Sequence, residues 1–202
     1  MTSRSTYNKG LFLFDIKHTP YGCGTWPALW LTDPYNWPDN GEIDIMEAVN
    51  QATDGNQMTL HTTSGCKMDG KRKQNGTALE KNCDHSKNDN AGCGVKDQTD
   101  SFGEEFNGKG GGVMAVEWRD EGIRMWQFLR SEIPSDITSK QPNPAVWGTA
   151  TADFPSTDCN IGNHFRNQSI VANIALCGHL VYSVYDNSGC EYQCSPDQSA
   201  SY

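Results

Sequence analysis

Residues 42–47 constrain the fold of this chain more than any other segment. They read EIDIME, so three carboxylates are interleaved with apolar side chains. Neighbouring side chains on a β-strand point to opposite faces, which places Glu42 and Asp44 together on one face. Strict alternation would turn Glu47 toward the core, where an unpaired carboxylate is costly. A β-bulge near Ile45 and Met46 adds one residue and returns Glu47 to the acidic face, so the segment predicts a bulged strand.

The rest of the chain shows short apolar segments and no convincing helical period. The predicted strands are residues 11–17, 28–31, 42–49, 57–62, 113–118, 122–129 and 169–176. Residues 64–112 are rich in Gly, Asn, Asp and Lys and are interpreted as one long loop, and residues 131–153 as another. Short strands without helices between them predict an all-β domain, a sandwich or jelly roll, over residues 1–202.

The cysteines predict a disulfide framework and an oxidising compartment. There are eight, which allow about 105 full pairings, and they are Cys23, Cys66, Cys83, Cys93, Cys159, Cys177, Cys190 and Cys194. Two glycosylation sequons, starting at Asn75 and Asn167, also indicate secretion. The alternative is a metal site: Cys190 and Cys194 have the spacing of half a zinc site, although no second pair matches it.

The charge balance excludes two classes of partner. Acidic residues outnumber basic ones 25 to 16, which gives a net charge of -9. A nucleic-acid binder needs a basic face, and so does a protein that docks on an anionic membrane. No apolar stretch approaches the ~20 residues that a membrane-spanning helix requires. We therefore expect neither nucleic-acid nor membrane partners.

The three carboxylates suit the hydrolysis of a glycosidic bond. Retaining glycoside hydrolysis needs two carboxyl groups about 5–5.5 Å apart, one as nucleophile and one as acid/base. Glu42 and Glu47 on one bulged strand fit that need, and Asp44 between them is placed to share a proton and raise at least one pKa. The alternative is an edge strand with a solvated acidic face. Because aromatic rings stack on sugars, three nearby tryptophans favour the sugar site: Trp26, Trp30 and Trp37.

Four segments carry a family resemblance: GTWPALW at 24–30, NWP at 36–38, GEIDIME at 41–47 and TLHT at 59–62. With weaker matches from Glu117 to Gly178, they make the chain resemble glycoside hydrolase family 16, and most of all the fungal laminarinase-type endo-1,3(4)-β-glucanases. The resemblance implies a concanavalin A-like jelly roll of two curved antiparallel sheets. It also implies a retaining enzyme that acts on β-1,3 or mixed β-1,3-1,4 glucan and uses no cofactor and no metal.

The resemblance also implies roles for individual residues. Glu42 would be the nucleophile, Glu47 the acid/base and Asp44 the assisting carboxylate. His61 would lie near the acid/base on the neighbouring strand, with a structural hydrogen-bonding role as the alternative. The aromatic residues expected to contact sugar are Trp26, Trp30, Trp37 and Trp118.

Other interpretations stay open at this point. A non-catalytic lectin-like protein, a transglycosylase and an inactive fragment would all carry the same sandwich. Only 23 residues precede Gly24, where family members have several strands, and none is predicted before Leu11. His179 and Leu180 stand where fungal relatives usually show Asp-Trp. The first residues lack a signal-peptide pattern, so we expect a secreted protein whose signal lies upstream. We also expect it to be a monomer. Because the strands that family members have before Gly24 are missing, we expect an incomplete sandwich that is prone to aggregate.

Overall fold

The computed structural model describes residues 1–191, and these form two β-sheets packed face to face. All pairings between the described strands are antiparallel. The larger sheet has seven strands in the order β1-β11-β3-β4-β5-β7-β6, and the smaller has four in the order β10-β9-β8-β2. The strands are β1 (Thr2–Tyr7), β2 (Gly10–Ile16), β3 (Thr25–Thr32), β4 (Glu42–Glu47), β5 (Gln57–His61), β6 (Thr77–Ala78), β7 (Val95–Lys96), β8 (Gly112–Arg119), β9 (Gly122–Leu129), β10 (Ala152–Pro155) and β11 (Gln168–Leu176). The predicted all-β sandwich is confirmed.

The core lies between the two sheets and is built by alternate residues of each strand. Strand β4 contributes Ile43 and Ile45, both fully buried, while β8 contributes Met114, Val116 and Trp118. Trp118 is 1% exposed, because it continues the face of β8 that packs against the larger sheet. The prediction that Trp118 contacts sugar is therefore wrong.

The expectation that no strand precedes Leu11 is also wrong. Strand β1 forms the edge of the larger sheet and pairs with β11, from Thr2 opposite Val171 to Tyr7 opposite Gln168. Its side chains are mostly exposed and polar, so the apolar alternation that marks a buried strand is missing. Main-chain hydrogen bonds to β11 hold it in place.

Short helices occupy parts of the predicted loops. They are α1 (Gly103–Gly108), α2 (Ser135–Thr138), α3 (Ile161–His164) and α4 (His179–Ser183). The segment 64–112 also contains β6 and β7, so it is less irregular than predicted. No helix within residues 1–191 is both long enough and apolar enough to cross a membrane.

Disulfides cross-link the loops, so the predicted disulfide framework is confirmed. Three pairings are Cys23–Cys190, Cys66–Cys159 and Cys83–Cys93, with sequence separations of 167, 93 and 10. Cys177 is disulfide-bonded as well. Because Cys190 is bonded to Cys23, the alternative that Cys190 ligates zinc is wrong; Cys194 lies outside the described residues.

Candidate active site

A bulge in β4 brings the three carboxylates to one face. The register of β4 against β5 slips between Asp44 and Glu47. Against β3, Asp44 and Met46 pair with consecutive residues, so Ile45 is the extra residue. The predicted bulge is confirmed, and Glu42, Asp44 and Glu47 all face the same cleft.

Asn56 satisfies the backbone groups that the bulge leaves unpaired. Its side-chain nitrogen donates to the Ile45 carbonyl at 2.9 Å, and its side-chain oxygen accepts from the Glu47 N–H at 3.0 Å. Asn56 is fully buried in the loop just before β5. Nothing in its local sequence marks this role, because the contact depends on the register of two strands. Asn56 therefore fixes the geometry of the segment that carries Glu47.

The cleft lies on the outer face of the seven-stranded sheet and has a volume of about 790 Å³. Six of the predicted site residues line it together: Trp26, Trp30, Glu42, Asp44, Glu47 and His61. The tryptophans come from alternate positions of β3, and the carboxylates from β4 beside it. A cleft lined by aromatic rings and carboxylates has the shape and chemistry to hold a sugar chain.

Both cleft tryptophans are held by hydrogen bonds from their indole nitrogens. Trp26 donates to Glu47 Oε1 at 2.9 Å, and Trp30 donates to Asn173 Oδ1 on β11 at 2.7 Å. Both rings are half-buried, so their orientation is fixed while part of each surface faces the cleft.

The carboxylates perturb one another strongly. Burial raises the pKa of Glu42 to about 9, with the charges of Asp44 and Glu47 adding to the effect. Asp44 is 2% exposed, and burial followed by the charge of Glu47 raises its pKa well above the ordinary value. A side-chain hydrogen bond with Glu42 offsets part of the rise in the pKa of Asp44. In both groups burial therefore favours the protonated carboxyl group.

Trp37 contacts the nucleophile candidate from the loop before β4. Its side chain hydrogen-bonds to Glu42, and its ring meets His85 edge-on with 5.2 Å between ring centroids. The loop is organised around Asp33, which is 1% exposed. Burial opposes ionisation of Asp33, yet hydrogen bonds from Asn167, Asn36, Asn40 and the Tyr35 backbone lower its pKa to about 2. A sugar contact by Trp37 stays a prediction.

His61 lies opposite Glu42 in the register of β4 and β5, whereas Gln57 is the residue opposite Glu47. Its Nε2 is 3.3 Å from Asp44 Oδ2. His61 thus lies on the neighbouring strand, as expected, and its ring approaches Asp44. That it also lies near the acid/base stays a prediction.

Three side chains that line the cleft could also bind a cation. Glu42, Asp44 and His61 each present one ligand atom, all within 4.8 Å of one another. The absence of a metal requirement stays a prediction.

The C-terminal helix builds the wall of the cleft beyond Glu47. His179, Leu180 and Ser183 line the cleft, so the two residues that replace the family's Asp-Trp still face it. A second cavity of about 340 Å³ shares Glu47 and Leu180 with the first. Glu47 therefore lines both cavities.

The sequence and the fold are both similar to known proteins. The family described as XgeA-like, catalytic GH16 domain matches residues 1–201. A probable glycosidase of Schizosaccharomyces pombe is 50% identical over 200 residues, which are 96% of this chain and 47% of that protein. An endo-1,3(4)-β-glucanase of Arthroderma benhamiae is 43% identical over 184 residues, 88% of this chain and 40% of that protein. The chain thus spans about half the length, or less, of these relatives.

Two solved structures agree closely with the fold. Laminarinase 16A from Phanerochaete chrysosporium, with β-glucans in its donor and acceptor sites, is 42% identical with a TM-score of 0.92, over 96% of this chain and 67% of that one. An elongating β-1,3-glucosyltransferase of the same family is 38% identical with a TM-score of 0.88, over 98% of this chain and 68% of that one.

Proposed function

The chain belongs to the XgeA-like catalytic domains of glycoside hydrolase family 16, and from this membership we propose that it is an endo-acting β-glucanase. Its substrates are β-1,3 and mixed β-1,3-1,4 glucans, which it cleaves with retention of configuration. One observation carries the proposal: the bulge in β4 turns Glu42 and Glu47 to the same face of an aromatic-lined cleft.

In the first step Glu42 attacks the anomeric carbon of the bound sugar. The bond from that carbon to the bridging oxygen breaks, and Glu47 gives its proton to the departing oxygen. Glu42 must be ionised to attack, while Asp44, whose pKa is raised by burial, keeps its proton. Asp44 then donates a hydrogen bond to Glu42, which balances the charge of the carboxylate in a buried site.

In the second step water replaces the first product. Glu47, now ionised, takes a proton from the water as its oxygen attacks the anomeric carbon and releases Glu42. Trp26 donates to Glu47 Oε1, and this hydrogen bond orients the carboxyl group in both steps. Two inversions leave the product in the β configuration.

The extent of the cleft supports cleavage within a chain rather than at its end. The two adjoining cavities provide room for sugar units on both sides of Glu47. The similar laminarinase holds β-glucans in donor and acceptor sites, which fits this arrangement.

Transglycosylation is the second candidate, because a β-1,3-glucosyltransferase of the same family shares this fold at 38% identity. The first step is the same, and a sugar hydroxyl replaces water in the second. A lectin-like role is disfavoured, since both carboxylates needed for the chemistry face the cleft. The disulfides fit a secreted protein. Our proposal is that it acts as a monomer on extracellular glucan.

Digestion of laminarin, lichenan and a β-1,4-glucan, followed by linkage analysis of the products, tests the proposal. We expect shorter glucans from the first two substrates, unchanged by a chelator, and none from the third. Products longer than the starting chains would identify the transglycosylase. Binding without cleavage would leave the lectin-like alternative.

A further inference from the structure

A chain of hydrogen bonds links the smaller sheet to the bulge of β4. Asn56 lies beside the bulge, where its side-chain nitrogen donates to the Ile45 carbonyl and its side-chain oxygen accepts from the Glu47 N–H. The same side-chain nitrogen donates to Oε1 of Gln127 at 3.1 Å. Gln127 belongs to β9 of the smaller sheet. The segment that carries Glu47 is therefore connected to both sheets.

Gln127 continues the face of β9 that points into the core. Ile123 and Met125 precede it at alternate positions and are fully buried, whereas Gln127 itself is half-buried. A polar side chain at such a position loses part of its contact with water, so it needs partners within the protein. The amide of Gln127 has two: its oxygen accepts from Asn56, and its nitrogen donates to the carbonyl of Ser101.

These contacts decide which end of each amide faces which partner. A carbonyl oxygen only accepts hydrogen bonds, so the group of Gln127 that meets the Ser101 carbonyl must be its nitrogen. The oxygen of Gln127 then faces Asn56, and it must meet the nitrogen of that side chain. The oxygen of Asn56 is thereby left for the Glu47 N–H. Gln127 thus favours the orientation of Asn56 that pairs the bulge.

Every polar group of Asn56 has a partner in this arrangement. Besides its side-chain bonds, its N–H donates to Oγ of Ser101 at 2.7 Å, and its carbonyl accepts from the Asp97 N–H at 2.9 Å. Asn56 is fully buried, so a group that lost its partner would not gain water in exchange. Without Oε1 of Gln127 one buried donor is unsatisfied, and Asn56 can lower that cost by turning away from Glu47.

We propose that Gln127 is a positioning residue for the acid/base. Gln127 holds Asn56, and Asn56 holds the backbone N–H of Glu47. The carboxyl group of Glu47 is thereby kept where it accepts from the Trp26 indole nitrogen at 2.9 Å. The family resemblance gives Gln127 no role. This inference rests on the proposed function, because Glu47 is the residue that gives its proton to the departing sugar.

Replacement of Gln127 tests the proposal through the leaving group. Gln127→Met has a similar volume and removes both hydrogen bonds. A misplaced acid slows the cleavage of laminarin, whose departing sugar needs a proton, but not that of a dinitrophenyl glycoside of laminaribiose, whose leaving group needs none. We expect kcat/KM to fall about tenfold on laminarin and less than about twofold on the dinitrophenyl glycoside. An equal loss on both substrates would show general damage and overturn the proposal, and so would no loss on either.

Gln74→Met is the matched control. Gln74 also bridges two partners, since its side-chain nitrogen donates to the Gly76 carbonyl at 3.0 Å and its oxygen accepts from the Asp153 N–H at 3.2 Å. It is half-buried like Gln127, and it does not line the cleft. We expect unchanged kcat/KM on both substrates. A loss on laminarin equal to that of Gln127→Met would contradict the proposal.

Gln127→Glu provides a second variant, should Gln127→Met fail to fold. Its protonated carboxyl group can still donate to Ser101 and accept from Asn56, whereas the ionised group can only accept. We expect its kcat/KM on laminarin, relative to the unchanged chain at the same pH, to fall at least about threefold between about pH 4 and about pH 7. A constant ratio over this range would overturn the proposal.

Hydrogen exchange of the Glu47 N–H provides a readout without turnover. In the unchanged chain this N–H donates to the buried Oδ1 of Asn56, which protects it from exchange. We expect exchange at least about tenfold faster in Gln127→Met and unchanged in Gln74→Met, with melting curves to compare their stabilities. Equal exchange in all three chains would overturn the inference even if the chain cleaves glucan. Faster exchange in Gln127→Met, without glucan cleavage by the unchanged chain, would instead refute the proposed function alone.

Discussion

The indole nitrogen of Trp26 donates a hydrogen bond to Oε1 of Glu47 at 2.9 Å. The residue predicted as a sugar platform therefore also orients a carboxyl group, and the two tasks use different parts of one side chain. The edge of the ring holds Glu47, while its exposed surface faces the cleft. A sugar stacked on Trp26 would lie beside the group that gives or takes a proton.

Glu42→Gln should abolish glucan cleavage and stabilise the fold at neutral pH. The amide cannot form the covalent intermediate.

The folded chain holds the proton of Glu42 up to about pH 9, whereas a free Glu releases it near 4.5. The stability of the fold therefore declines as pH rises from about 4.5 to about 9. Because Gln does not titrate, the Glu42→Gln variant should not lose stability in this way as pH rises. Calorimetry should give a Tm higher by at least about 3 °C at pH 7, with the difference shrinking near pH 4; a lower Tm at pH 7 would contradict this.

Glu47→Ala should lose most of its activity and regain part of it with azide. A small anion attacks the glycosyl ester without needing a base to remove its proton. The assay uses an aryl β-glucoside with a good leaving group, which also reduces the need for an acid. Formation of a β-glycosyl azide identifies the rescued step, and Glu42→Gln with azide serves as the inactive control.

The first sugar released should have the β configuration. Glu42 and Glu47 lie on one strand, and direct attack by a carboxylate needs them closer than inversion by water does. Proton NMR of the earliest product, before the anomers equilibrate, measures the outcome. An α product would rule out the covalent intermediate.

Asp44→Asn should lower kcat on laminarin about tenfold. Asp44 is buried beside Glu42, and the amide replaces the protonated carboxyl group by a weaker donor to the ionised nucleophile. Initial rates on laminarin measure the loss; an unchanged kcat would exclude this role of Asp44.

Trp30→Ala and Trp118→Ala should affect different properties: the first should weaken substrate binding, and the second should destabilise the fold. Trp118 is 1% exposed between the sheets, so its loss should cost about 3–5 kcal/mol of unfolding free energy. Trp30 is half-buried at the cleft, so its loss should mainly raise KM. Urea unfolding and laminarin kinetics separate the two, and unchanged KM in folded Trp30→Ala would exclude a sugar contact there.

The bulge and the acidic face of β4 were predictable because they follow from local alternation and the cost of burying Glu47. Strand β1 was not, since its polar side chains give no pattern and its pairing with β11 is decided across the whole chain. Trp30 and Trp118 are both tryptophans on strands, so the sequence does not distinguish their positions. Only the packing of β8 against the larger sheet shows that Trp118 belongs to the core, whereas Trp30 lines the cleft. The role of Asn56 depends on how the loop before β5 packs against the bulge of β4, which no local spacing reveals.

The Cys23–Cys190 bond has a consequence for the order in which the protein matures. Synthesis runs from the amino end, so the carboxylates of β4 leave the ribosome long before α4 does. The wall of the cleft formed by Leu180 and Ser183 is still missing at that stage. Oxidation of Cys190 onto Cys23 then ties this wall covalently to the segment before β3. The carboxylates are therefore synthesised well before the bond that holds the wall beside them can form.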